Sequence, residues 1–150
     1  MSYATRSNIE DAFGVTNVEV WADLDADEDS TKITNRITRA LAIAEEEVDE
    51  SLRNGAYVVP VTMDVDGVLG VSVTLTDVTA KLAGGWLWEN RRLEDTDKDE
   101  DSSRVSSHAK RARAILTEIA SGKRKLNAYR QDDDVLAPSA DTQTLTRDDD

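Results

Sequence analysis

The feature that most constrains this chain is one apolar stripe between residues 30 and 54. Ile33, Ile37, Leu41, Ala44, Val48 and Leu52 recur at spacings of three and four, which puts them on one face of an α-helix. Asp29 and Ser30 stand ready to cap its start, and Gly55 to end it. Asp49 and Arg53, four residues apart, are placed to pair on its surface.

The flanking segments read in the same terms. A short helix is expected from Thr5 or Ser7 to Phe13. Ser7 with Glu10 fits a capping box, and Thr5 with Asn8 is the rival cap. Gly14 suits the position after the helix, where a left-handed backbone costs little only for Gly. Val18-Glu19-Val20-Trp21 reads as one helical turn that packs Trp21 on the core. Residues 23–29 are an acidic loop. After Gly55 the helical pattern stops, because Pro60 lacks an N–H and restricts its neighbour. Val61, Met63 and Val65 then alternate with polar residues. Asp66-Gly67 and a second apolar run follow, which predicts a β-hairpin at 61–73. An isolated hairpin is marginal in water, so this one should lean on the helices or on a neighbouring subunit.

A further helix is predicted over 74–92, with Leu75, Val78, Leu82 and Trp86 as its stripe and Leu87 beside it. Gly84-Gly85 weakens it by about 1 kcal/mol per residue, a cost that close approach of another helix would offset. Trp86 and Trp88 are two apart and point away from each other. One of them is therefore a candidate subunit contact. Residues 94–103 form a second acidic linker. The last helix is predicted over 103–121, where Val105, Ala109, Ala112, Leu116 and Ile119 make a heptad-like seam closed by Gly122. The expected architecture is mainly α: a small bundle of about four helices over residues 1–126, then an acidic, flexible tail over 127–150.

Charge narrows the function. The chain has 150 residues, 31 carboxylates against 18 basic side chains, and a net charge of −13. Such a surface repels phosphate and anionic membranes, which argues against free nucleic-acid binding. The surplus of Asp over Lys also resembles proteins of very salty habitats. With no Cys, disulfides and thiolate metal sites are excluded. No apolar run is long enough for a bilayer span, and no apolar leader opens the chain, so synthesis in the cytoplasm is expected.

Catalytic patterns are missing. Both acidic loops fail the EF-hand spacing where its geometry is strict: a loop counted from Asp95 has Glu100 at position six and Ser106 at position twelve, and one counted from Asp23 has Glu28 and Thr34. His108 is the only His, with no nucleophile elbow nearby. No catalytic, metal or cofactor residue is assigned, and the chain is not expected to be an enzyme. The informative residues are basic. Lys110, Arg111, Arg113, Lys123, Arg124 and Lys125 concentrate in and just after the last helix. They either balance the helix C-terminus and the acidic linkers or form a docking surface for an acidic partner, such as another copy of the chain.

Three segments, in order, resemble the head–tail adaptor (head-completion, or connector) proteins of tailed viruses. They are Tyr3-Ala4-Thr5 with the short helix ending Phe13-Gly14, the passage from Glu47 to Pro60 that includes Asn54-Gly55-Ala56-Tyr57, and the stretch from Ile115 to Leu126 that includes Ser121-Gly122-Lys123. Residues 61–73, Gly84-Gly85-Trp86 and the second acidic linker depart from the family pattern. The resemblance implies a structural role. About a dozen copies would form a ring beneath the portal, extending the DNA channel and receiving a tail or tail-completion protein. DNA would pass through without specific binding. The tail would dock on the portal through Val135, Leu136, Pro138 and Leu145. Trp86, Trp88 and the basic residues would serve subunit or partner contacts. The expected location is the virion neck, in a virus of a salt-loving host.

Overall fold

The long stripe does form one helix, and the other helices pack around its neighbour. The computed structural model describes residues 2–61, 63–65, 68–92, 100–126 and 128. Among these are α1 (Arg6–Phe13), α2 (Val15–Ala22), α3 (Ser30–Asn54), β1 (Met63–Val65), β2 (Val68–Gly70), α4 (Val73–Arg92) and α5 (Glu100–Ala120). The fold is mainly helical, as the periodicity predicts. α2 is a full helix where one turn was expected, and α5 begins three residues earlier than its seam suggested.

Local signals set most boundaries. At α1 the Thr5–Asn8 alternative wins: Asn8 Oδ1 accepts from the Thr5 N–H at 2.8 Å and from its hydroxyl at 3.0 Å. Gly14 has φ +93° and both ends α1 and starts α2. Asp29 caps α3 by accepting from the N–H groups of Thr31 and Lys32, satisfying donors that an N-terminal turn leaves orphaned. The expected Asp49–Arg53 pair is replaced, because Asp49 accepts from the buried Tyr3 hydroxyl at 2.6 Å.

Contacts at the helix ends give the topology. Arg91 Nη1 donates to the Val20 and Asp23 carbonyls at 2.6 and 3.2 Å, so α4 ends where α3 begins. Gly55, just past α3, lies against Ile119 and Ala120, so α5 ends where α3 ends. α3 and α5 therefore run the same way and α4 runs against them. Both sides of α4 are used, since it packs on each of the other four helices. Its buried positions, among them Leu75, Val78, Thr79, Ala80, Leu82, Ala83 and Leu87, encircle it.

The glycine pair explains how a central helix can be so crowded. A Cβ on Gly84 would fall 2.1 Å from Phe13 Cε2, and one on Gly85 would fall 3.2 Å from Ala109 Cβ. The lost helix propensity is thus exchanged for close approach of α1 on one side and α5 on the other. The predicted hairpin is present, with Met63 opposite Gly70 and Val65 opposite Val68. Among the described residues the element contacts of its strands are those with each other.

Candidate docking surfaces

The segments that carry the family resemblance are far apart in sequence and meet at one end of the bundle. The Tyr3 hydroxyl donates to Asp49 on α3 and accepts from the Val61 N–H at 2.9 Å. The Tyr3 N–H donates to Glu45 Oε1 at 2.9 Å. One side chain therefore ties the N-terminal segment to α3 and to the chain leaving Pro60. Burial, followed by the hydrogen bond to Asp49, pushes the Tyr3 phenol well above its ordinary pKa, so it stays protonated as a donor.

A second tyrosine does the same for the exit of the chain. Tyr57 is buried and its hydroxyl accepts from the Leu126 N–H at 3.0 Å. Leu126 and Ala128 are half-buried against the core. Gly55 is required here for space: its φ is −88°, but a Cβ would lie 3.0 Å from the Ile119 carbonyl and 3.3 Å from Ala120 Cα. The left-handed residue is Ala56, at φ +64°. The tail residues Val135, Leu136, Pro138 and Leu145 lie outside the described residues, as do 93–99 of the second linker.

The two tryptophans are placed differently from the sequence expectation. Trp86 and Trp88 are both half-buried against the chain's own core. Trp88 meets Trp21 edge-on at 5.4 Å, Trp21 meets Phe13 at 5.4 Å, and Phe13 meets His108 at 5.6 Å. Residues two apart can both reach core because core surrounds α4. His108 is part of this aromatic ladder, and burial, then Lys81 and Arg104, hold its pKa below the ordinary value.

Of the six basic candidates, Arg113 and Arg124 are paired within the chain, to Glu47 at 2.8 Å and to Glu118 at 3.0 Å. Lys110, Arg111, Lys123 and Lys125 are exposed with no ion pair among the described residues. The first acidic loop is occupied by its own structure. Asp23 accepts from the N–H groups of Asp27 and Glu28, and Lys32 and Arg36 reach Asp25 at 3.5 and 3.2 Å. Lys32 also pairs with Asp27 at 2.6 Å. The hydrogen bond from Lys32, then that from the Asp29 N–H, lowers the pKa of Asp27.

Sequence reasoning missed Tyr3 and Tyr57 as clamps. Their signal was weak but present, since a buried Tyr usually finds a partner for its hydroxyl. It also missed an open groove of about 370 Å³ beside the acidic loop, lined by Arg6, Glu19, Val20, Asp23, Glu28, Ser30 and Ile33.

Residues 3–144 match the description of the bacteriophage Mu Gp36 family. The chain belongs to that family. The match takes in the bundle, both tyrosine clamps and most of the tail. No curated protein and no solved structure matches the chain. No helix among the described residues is long and apolar enough to cross a membrane.

Proposed function

We propose that this phage-family protein is a structural subunit of the neck, forming a ring that joins the portal at the capsid vertex to the tail and extends the DNA channel. The observation that carries the reading is the convergence at one end of the bundle. The N-terminal segment, the passage from Gly55 to Val61 and the exit at Leu126 are bound to one another by Tyr3 and Tyr57. These are the segments that resemble head–tail adaptors. A tail that leaves a firm clamp can order on a partner without disturbing the bundle.

Charge supports the same reading. A protein of net charge −13 around a channel lets DNA slide instead of sticking, and such a surface suits the concentrated salt of a halophilic host. The partners are other copies of the chain, the portal, and a tail or tail-completion protein, and the protein resides in the virion. No enzymatic step is assigned.

The test is reconstitution with the portal protein. A ring of this chain on the portal, seen by cryo-electron microscopy, is the expected result. No binding at any salt concentration would overturn the proposal. Deleting residues 131–150 should weaken docking, and unchanged docking would remove Val135, Leu136, Pro138 and Leu145 from the portal contact.

A further inference from the structure

Charge in the folded chain is sorted by element. Residues 104–125, which span most of α5 and its exit, carry seven basic side chains and one carboxylate. That carboxylate, Glu118, is already paired with Arg124. Arg104, Lys110 and Arg111 are exposed and have no ion pair among the described residues. Residues 2–29, which span α1, α2 and the acidic loop, carry eight carboxylates and one basic side chain, Arg6. The two regions occupy distinct surfaces: α5 packs on α3 and α4, whereas α2 packs on α1, α3 and α4 and does not touch α5.

The acidic surface also carries uncovered apolar groups. Val15, Val20 and Leu24 are 55, 44 and 42% exposed, and all three lie on α2 or the loop just after it. Beside α3 opens a groove walled by Val20 and Ile33 and edged by Glu19, Asp23 and Glu28, three carboxylates against one cation, Arg6, which pairs with Glu19 at 3.2 Å. Apolar walls with a carboxylate rim suit a Lys or Arg side chain, whose stem is apolar and whose head is charged.

We propose that the outer face of α5 docks on the α2 flank of a second copy of this chain, with Lys110 and Arg111 directed at the groove beside Glu19 and Glu28. The contact joins two different surfaces, so it is heterologous. Repeated from copy to copy it closes into a ring if the rotation between copies allows. A second copy is the occupant because the chain itself presents both complementary surfaces, and the acidic one adds exposed apolar area. The inference rests on the reading of the protein as an assembling subunit, and it supplies the face that would mediate assembly.

Two double variants of the full chain provide the test: Lys110→Glu with Arg111→Glu, and Glu19→Lys with Glu28→Lys. Unchanged helical circular dichroism confirms that each is folded. Sedimentation and native mass spectrometry should show roughly ten- to hundredfold weaker self-association for each variant alone, because like charges then face each other. An equimolar mixture should associate again with the two variants alternating, because each α5 then faces an α2 flank of opposite charge, and raising salt should weaken both the mixed and the wild-type association. Wild-type-like association of either variant alone, or a mixture that does not associate, overturns the proposal. So does duplex DNA or the chain's own 131–150 segment occupying α5 while reversal of the α2 flank changes nothing. On the portal, rings that survive both reversals sink this contact and leave the neck reading standing. Failure of the wild-type chain to bind the portal, with the mixed association of the two variants still formed, sinks the neck reading alone.

Discussion

α3 and α4 are both long helices, yet they meet the rest of the molecule in opposite ways. α3 lays one stripe on the core, with Ile37, Ala40, Ala44, Val48 and Leu52 buried and the far side in water. α4 has no free side along most of its length, because other helices contact it from several directions. Helices touched from one side keep a strong apolar period, and helices surrounded by partners lose it. Small residues then become as informative as large ones, which is why Gly84, Gly85, Ala80 and Ala83 stand where a one-sided helix could carry polar groups.

The largest expected effects test whether the two helices share one core. Leu52→Ala on α3 and Leu75→Ala on α4 remove fully buried side chains, and each should cost about 2–5 kcal/mol, measured by chemical denaturation. A much smaller loss for either would break the picture of a single core. Gly84→Ala separates the helices more sharply. Its new methyl group would collide with the Phe13 ring, so a loss of about 1–3 kcal/mol is expected despite a gain of about 1 kcal/mol in helix propensity. On the outer side of α3, Thr38→Ala should be neutral or slightly stabilising, since Thr38 is exposed. If Gly84→Ala also stabilised, the close approach of α1 to α4 would be wrong.

Tyr3→Phe probes the clamp that holds the N-terminal segment to α3. It leaves Asp49 and the Val61 N–H without their shared partner, and the expected cost is about 1–3 kcal/mol, with faster hydrogen exchange at Val61. Ala56→Gly should go the other way by about 0.5–1 kcal/mol, by relieving the left-handed backbone at φ +64°. The smallest effect is a pH dependence. His108 is held below its ordinary pKa by burial and by Lys81 and Arg104, so the fold favours the neutral ring. Stability should therefore be full above the ordinary His pKa and decline as pH falls through it toward the depressed value. His108→Phe should flatten that slope in urea melts taken across the range.

Much of the fold was legible in the sequence, for reasons that show in particular residues. The α3 stripe, the Asp29 cap, the Gly14 break and the seam of α5 are local signals, written within a few residues of where they act. The Asp-Gly signal separated two strands that do form, although they are shorter than the predicted 61–73 span and Val73 opens α4 instead. Less of the candidate docking surface was legible. Lys110 and Arg111 could be counted from the sequence, but not that they make no ion pair among the described residues, and Arg113 could not be known to face Glu47. The premise that Trp86 and Trp88 could not both reach the core failed because their spacing was read against a core on one side only.

The sequence by itself determined which segments are helical, where they start and stop, and that the chain is acidic with one basic stretch, because capping, periodicity and charge depend on neighbours along the chain. Only the tertiary structure decided that α4 is the centre, that Tyr3 and Tyr57 draw three distant segments to one end, and that basic and acidic surfaces lie apart. Those outcomes depend on which faces meet. A contact such as Tyr3 with Val61, 58 residues away, is selected by packing the whole core at once and leaves no period in the chain to read.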